Sequence, residues 1–221
     1  MLVTSIDVGI QHLGLVKVET NDANRIRKIV EFALVDIQTF HPAGTTAEDC
    51  PLRHHDRCFA DWVAHVFINY SSYFDETDVI LIERQPPCGL VAIEQLIFAK
   101  FRDKARLVSP NAVHCHFKVN HCDYEKRKEH SMRQFSKAIE QNLSLREKYK
   151  ALERRHDIAD AFVQLEFYLF KRRQRDHREQ LAHQRKERRL DMLSRNMTLK
   201  DGSEMKWEEF FKRCEYHPGH R

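Results

Sequence analysis

The sequence has no apolar run approaching the ~20 residues that a bilayer-spanning helix needs. Nor does Met1 lead into the charged, apolar and cleavage-site series of an export signal. Both absences point to a soluble intracellular protein with no membrane partner. No C-x-x-C pair occurs, so the six cysteines (Cys50, Cys58, Cys88, Cys115, Cys122 and Cys214) are expected as reduced thiols rather than a disulfide framework. Neither an internal repeat nor low complexity is present outside one basic stretch. What remains is 221 residues, enough for one α/β domain of ordinary size with an extension and tight for two. A formal net charge of +4 conceals a block: residues 171–195 hold ten Lys or Arg against four Asp or Glu.

Leu2, Val3 and Ile6, with β-branched Thr4, read as a strand buried on both faces. Gly9 and Gly14 are expected to bracket a reversal into a second strand, Leu13 to Val18. Lys28 to Ile37 supplies a third, completing an antiparallel meander. After turn chemistry at residues 41–51, Leu52 to Phe74 places Phe59, Trp62, Val63, Val66, Phe67 and Tyr70 at helical spacing. Asp78 to Ile82 forms a short strand closing on Glu83 and the loop Arg84–Pro87. The helical stripe of Gly89 to Arg102 and a fifth strand, Ala105 to Ser109, complete a βαβ unit with parallel strands and a right-handed crossover. Short and surface helices are expected over 111–120 and 124–142, and a last core helix from about Arg146 through Phe170. Residues 1–171 thus form one domain. Residues 172–221 form a basic extension, a solvated helix or a disordered arm over Arg172 to Arg189, with an amphipathic piece at Trp207 to Phe211.

The acidic residues carry the chemistry. Asp7 stands where a buried strand runs out, a costly place for a carboxylate without a positive partner. It is either a turn cap bonded to nearby N–H groups or a ligand of a metal ion. Glu83 repeats the situation at the end of the fourth strand. Asp157 and Asp160, three apart on a helix, share a face among apolar Ile158, Ala159, Ala161 and Phe162. Two carboxylates at ~4 Å repel by on the order of 4 kcal/mol at an effective dielectric of 20. Divalent metal is the usual remedy, and hard oxygen ligands suit Mg²⁺ or Mn²⁺.

Three antiparallel strands followed by a βαβ unit, with acids at two strand ends and on a closing helix, resemble the RNase H-like nucleases. The segments LIERQPP, LVSP, YEKRKEHSMRQF and RRHDIADAF, with the opening IDVG, resemble more narrowly the poxvirus-type, RuvC-like Holliday junction resolvases over roughly residues 2 to 171. The resemblance implies a five-stranded mixed sheet with helices on both faces. It also implies a homodimeric, metal-dependent endonuclease that cuts opposed strands of a four-way DNA junction, leaving 5′-phosphate and 3′-hydroxyl ends. Asp7, Glu83, Asp157 and Asp160 would then be the metal ligands, with two Mg²⁺ or Mn²⁺ ions per site. Lys128 falls where such enzymes carry a functional lysine, and Gln85 follows the catalytic Glu. His12 and His156 depart from the common pattern: many relatives have Asn at the first position and an acid or other polar residue at the second. A different RNase H-like nuclease, acting on flaps, forks or RNA:DNA hybrids, stays open as an alternative, as does an inactive nucleic-acid-binding protein.

DNA contacts are expected from Gln85, Arg127, Lys128, Lys171, Arg172 and Arg173. The basic arm would add sequence-independent, salt-sensitive affinity or address the protein to a nucleus, and a viral source would place it at a cytoplasmic replication site. His114, Cys115, His116, His121 and Cys122 offer zinc-type donors at a spacing that matches no closed pair. The helix after Glu83 is a candidate for a subunit contact.

Overall fold

The computed structural model describes residues 1–9, 11–37, 58–87 and 89–197, with side chains to residue 191. The expected Trp207–Phe211 piece, the turn at 41–51, the start of the first helix and Cys50, Cys88 and Cys214 lie outside them. The chain divides into two units, Met1–Arg172 and Arg173–Arg221.

In the first unit five strands, β1 (Leu2–Val8), β2 (His12–Thr20), β3 (Ile26–Asp36), β4 (Val79–Glu83) and β5 (Ala105–Val108), form one sheet in the order β3-β2-β1-β4-β5. β1, β2 and β3 pair antiparallel, while β4 pairs parallel with β1 and β5 parallel with β4. The β4–β5 connection is α2 (Val91–Lys100), the expected crossover. One sheet face packs on α1 (Phe59–Asn69) and α2 through Ile6, Val8, Val63, Val66, Ile80, Ile82, Ile93 and Ile97. The other packs on α3 (Pro110–His116), α4 (Tyr124–Ala138), α5 (Leu143–Lys150) and the start of α6 (Arg155–Met197), through Val3, Leu81, Phe135, Tyr149, Ile158 and Phe162. Strand alternation therefore sends Val3, Ser5 and Asp7 toward α6, and Val79, Leu81 and Glu83 with them.

Two expectations are corrected. Gly14 does not close the reversal. The turn is Gly9 to His12, where the Gly9 N–H donates to the His12 carbonyl at 3.1 Å, and Gly14 sits inside β2 opposite Asp7. The last core helix does not begin near Arg146 either. Asn142 caps α5 by accepting from the Leu145 N–H at 3.1 Å, α5 stops at Lys150, and residues 151–154 turn the chain before α6 begins. The Tyr149 hydroxyl ties the two helices by donating to the Arg155 carbonyl at 3.1 Å. This break puts Asp157 in the first turn of α6, where a carboxylate meets the positive end of the helix dipole.

In the second unit α6 continues to Met197, with residues from 177 to 191 exposed and the i,i+4 pairs Arg175–Glu179 and His183–Glu187 along its surface. Among the described residues no helix is long and apolar enough to cross a membrane.

Candidate active site

Parallel pairing of Ile6 with Ile82 makes Asp7 and Glu83, the next residues, neighbours at the same end of β1 and β4 and on the face that α6 covers. Burial above all, then the charges of Glu83 and Asp160, push the Asp7 carboxyl well above the carboxylate range, with Lys128 opposing. Burial also raises Glu83, against hydrogen bonds from Asp7, Gln85 and the Val8 N–H that favour its charged form. The hydrogen bond between the two acts in opposite senses, raising Asp7 and lowering Glu83.

From α6, Asp160 reaches the same point and is met by the Lys128 ammonium of α4. Burial works against the charge of Lys128, but Asp160 and Asp7 outweigh it and hold the amine above its ordinary value. The Lys128 amine also lies 5.1 Å from the ring centre of Tyr124, which is 54% exposed at the rim. Asp157 behaves differently. Only 5% exposed, it accepts from Arg154 Nε at 2.8 Å and lies 3.1 Å from His156 Nε2. Its carboxylate is turned to the Arg154 guanidinium and the His156 ring, although its backbone belongs to the same helix turn as Asp160. Burial lowers His156 below the usual histidine value, and Lys128 and Arg154 act in the same sense.

Three residues overlooked in the sequence build this geometry. A Cβ on Gly14 would lie 2.2 Å from the Asp157 carbonyl oxygen, so only glycine lets α6 rest on β2 at this height. Gln164, 4% exposed, donates to Ser5 Oγ at 3.0 Å and the Ile6 carbonyl at 3.3 Å, fixing α6 to β1 one residue from Asp7. Arg154 holds Asp157. The sequence signal for Gln164 is a polar residue on an otherwise apolar helix face; for Gly14 it is a glycine within a strand.

The other expected residues divide. Gln85 donates from Nε2 to Glu83 Oε2 at 3.0 Å, and its backbone N–H donates to the buried Glu94 carboxylate of α2. Arg127 donates to the Cys122 carbonyl at 2.9 Å and lines a cleft with Glu83 and Asp160. Lys171, its amine 5.7 Å from the Phe167 ring centre, lies about 16 Å farther along α6 than Asp160 at 1.5 Å per residue. Arg172 and Arg173 follow it on α6. The His/Cys group is dispersed: His116 packs against Phe117 and Phe170, Cys115 faces Asn111, and His114 faces the cleft. Among the described residues no three His, Cys, Asp or Glu side chains are placed to hold a metal ion.

No protein-family model matches the chain, nor does any curated protein sequence. Solved structures do. The fowlpox virus resolvase in complex with substrate Holliday junction DNA is similar at 18% identity and a TM-score of 0.57, over 77% of this chain and 98% of that one. The yeast mitochondrial Holliday junction resolvase Ydc2 is similar at 16% identity and a TM-score of 0.57, over 82% of this chain and 85% of its own. A second fowlpox virus resolvase structure gives 17% identity and a TM-score of 0.54, over 77% and 99%. With its strand order, mixed pairing and helices on both faces, the chain has the RNase H-like fold of these resolvases.

Proposed function

We propose that the protein is a metal-dependent DNA endonuclease that resolves four-way junctions. The observation that carries this reading is the gathering of Asp7, Glu83 and Asp160, with Lys128, at one end of β1 and β4 on a fold shared with two junction resolvases. The donor chemistry fits a hard divalent cation. Asp7 and Glu83 are hydrogen-bonded and the charge of Asp160 acts on both; as they stand the three side chains are not placed around an ion, and a divalent cation would relieve the burial and repulsion that raise Asp7. Asp7, Glu83 and Asp160 would hold the ion or a pair of ions, joined by Asp157 once its carboxylate leaves Arg154 and His156. When bound, Mg²⁺ or Mn²⁺ supplies a water of lowered pKa and neutralises charge on the phosphodiester.

The chain's own residues do the positioning. Gln85 holds Glu83 in one rotamer, and Gln164 and Gly14 set the height of α6 above the strand ends. The Lys128 ammonium, held beside the carboxylates, stabilises charge developing on the scissile phosphate. In-line attack by water breaks the P–O3′ bond, leaving 5′-phosphate and 3′-hydroxyl ends. A homodimer places two such sites across a two-fold axis that an open junction shares, so opposed strands are cut as a pair. The basic residues from Lys171 onward add phosphate contacts without sequence preference.

The test offers a labelled immobile four-way junction beside linear duplex, flap, fork and RNA:DNA hybrid, each with Mg²⁺, Mn²⁺ or EDTA. Metal-dependent cleavage confined to the junction is expected, with Asp160→Asn binding the junction but not cutting it. Cleavage of hybrid or flap alone, or binding without cleavage in either metal, would refute the proposal.

A further inference from the structure

Between α3, α4 and α6 a small cleft of about 40 Å³ opens beside the acidic cluster. Glu83 and Asp160 line it together with Arg127, His114, His130 and Phe117. Arg127 forms no ion pair with either carboxylate. The one acceptor found for Arg127 among the described residues is the Cys122 carbonyl, although a guanidinium carries five N–H donors and two carboxylates share its cleft. His130 Nε2 is screened from solvent and has no hydrogen-bond partner. His114 adds a ring N–H to the same lining; burial first, then the Arg127 charge, hold it below the usual histidine value.

Donors and carboxylates in one lining suit an oxyanion that meets the donors directly while its chain continues past the acids. We infer that this cleft seats the phosphodiester adjoining the scissile one, gripped by Arg127 and His114, and so sets which bond of the strand lies over Asp7, Glu83 and Asp160. This rests on the junction-endonuclease reading and adds a positioning subsite to it. The volume suits phosphate oxygens and excludes a base. Arg127 is suited to the contact because its planar fork can meet two oxygens of one phosphate.

The test pairs protein and DNA changes. Wild type, Arg127→Ala and His114→Gln are compared on junctions carrying one neutral methylphosphonate at the phosphate on either side of the cut. Unmodified junction cut by wild type serves as the reference. Arg127→Ala is expected to slow cleavage of unmodified junction roughly 10- to 100-fold, the range of a lost charge-assisted hydrogen bond. One of the two methylphosphonates should slow wild type by a similar factor and slow Arg127→Ala no further. His114→Gln, which replaces the ring donor by an amide, should slow cleavage of unmodified junction in the same sense as Arg127→Ala but by a smaller factor, with sensitivity to the same methylphosphonate. Factors that multiply at both flanking positions would overturn the subsite and leave the endonuclease reading standing, because a merely structural Arg127 would not distinguish the modified phosphates. Failure of wild type to cut unmodified junction would overturn both.

Discussion

Gly14→Ala tests how the site is assembled. The new methyl carbon would sit 2.2 Å from the Asp157 carbonyl oxygen, 2.5 Å from its carbonyl carbon and 3.1 Å from the Ile158 nitrogen. All three are backbone atoms, so no rotamer change relieves the contact. Restoring an ordinary separation of 3.4 Å from 2.2 Å requires the start of α6 to lift by about 1.2 Å. Overpacking of this kind costs roughly 1–3 kcal/mol. At roughly 2–4 °C per kcal/mol for a domain of 150–250 residues, the melting temperature should fall by about 2–12 °C. Because the lifted turn carries Asp157 and Asp160 away from Asp7 and Glu83, junction cleavage should fall by about 10²-fold, as misplacements near 1 Å do. Junction affinity should change little. Thermal unfolding and single-turnover cleavage, measured on the same preparation, provide the check. Wild-type values for both would refute the argument that glycine is required for the approach of α6 to β2.

Three further outcomes follow from the same geometry. The folded-state pKa of Asp7 is raised, so its contribution to stability is full below its unfolded value near 4 and is lost as pH rises through the folded value. In EDTA, Asp7→Asn should therefore melt increasingly above wild type as pH climbs from about 4 toward neutrality. A gap independent of pH would show that the Asp7 carboxyl is not raised in the folded protein. Replacing Lys128 by methionine leaves Asp160 without its ion partner and should lower the cleavage rate by about 10²–10³-fold while junction affinity, measured by gel shift, stays close to wild type. Gln164→Leu removes two buried hydrogen bonds to β1 and should destabilise by about 1–3 kcal/mol in urea unfolding, whereas an unchanged midpoint would mean the amide contributes nothing net.

Much of the fold was legible because its signals are local. The apolar strands ending in Asp7 and Glu83 and the crossover helix read directly from hydrophobic pattern. The near-continuous apolar run of Val79 to Ile82 is what a strand covered on both faces requires. Two features depended on contacts distant in sequence. Gly14 looks like turn chemistry until α6 is placed over it, 143 residues later in the chain. The break between α5 and α6 is equally hidden, because Leu145, Tyr149, Leu152 and Ile158 continue an apolar spacing through a segment whose capping is done by Asn142 and Tyr149. The four acidic candidates were visible as types and positions, but the sequence could not distinguish their states. Asp7, Glu83 and Asp160 converge, whereas Asp157 is engaged by Arg154 and His156, a difference set by the turn at 151–154 rather than by residue identity.

The central claim is that the converging carboxylates form a metal-dependent site that cuts junctions in pairs. It is tested most directly on a four-way junction labelled on two opposed strands, incubated with Mg²⁺ and wild-type protein or Asp7→Asn. Wild type is expected to nick both labelled strands at symmetric positions, giving ends that ligate without processing, and EDTA should stop the reaction. Asp7→Asn should retain the junction in a gel shift and leave both strands whole. Cleavage by Asp7→Asn at the wild-type rate, or nicks unaffected by EDTA, would contradict the account.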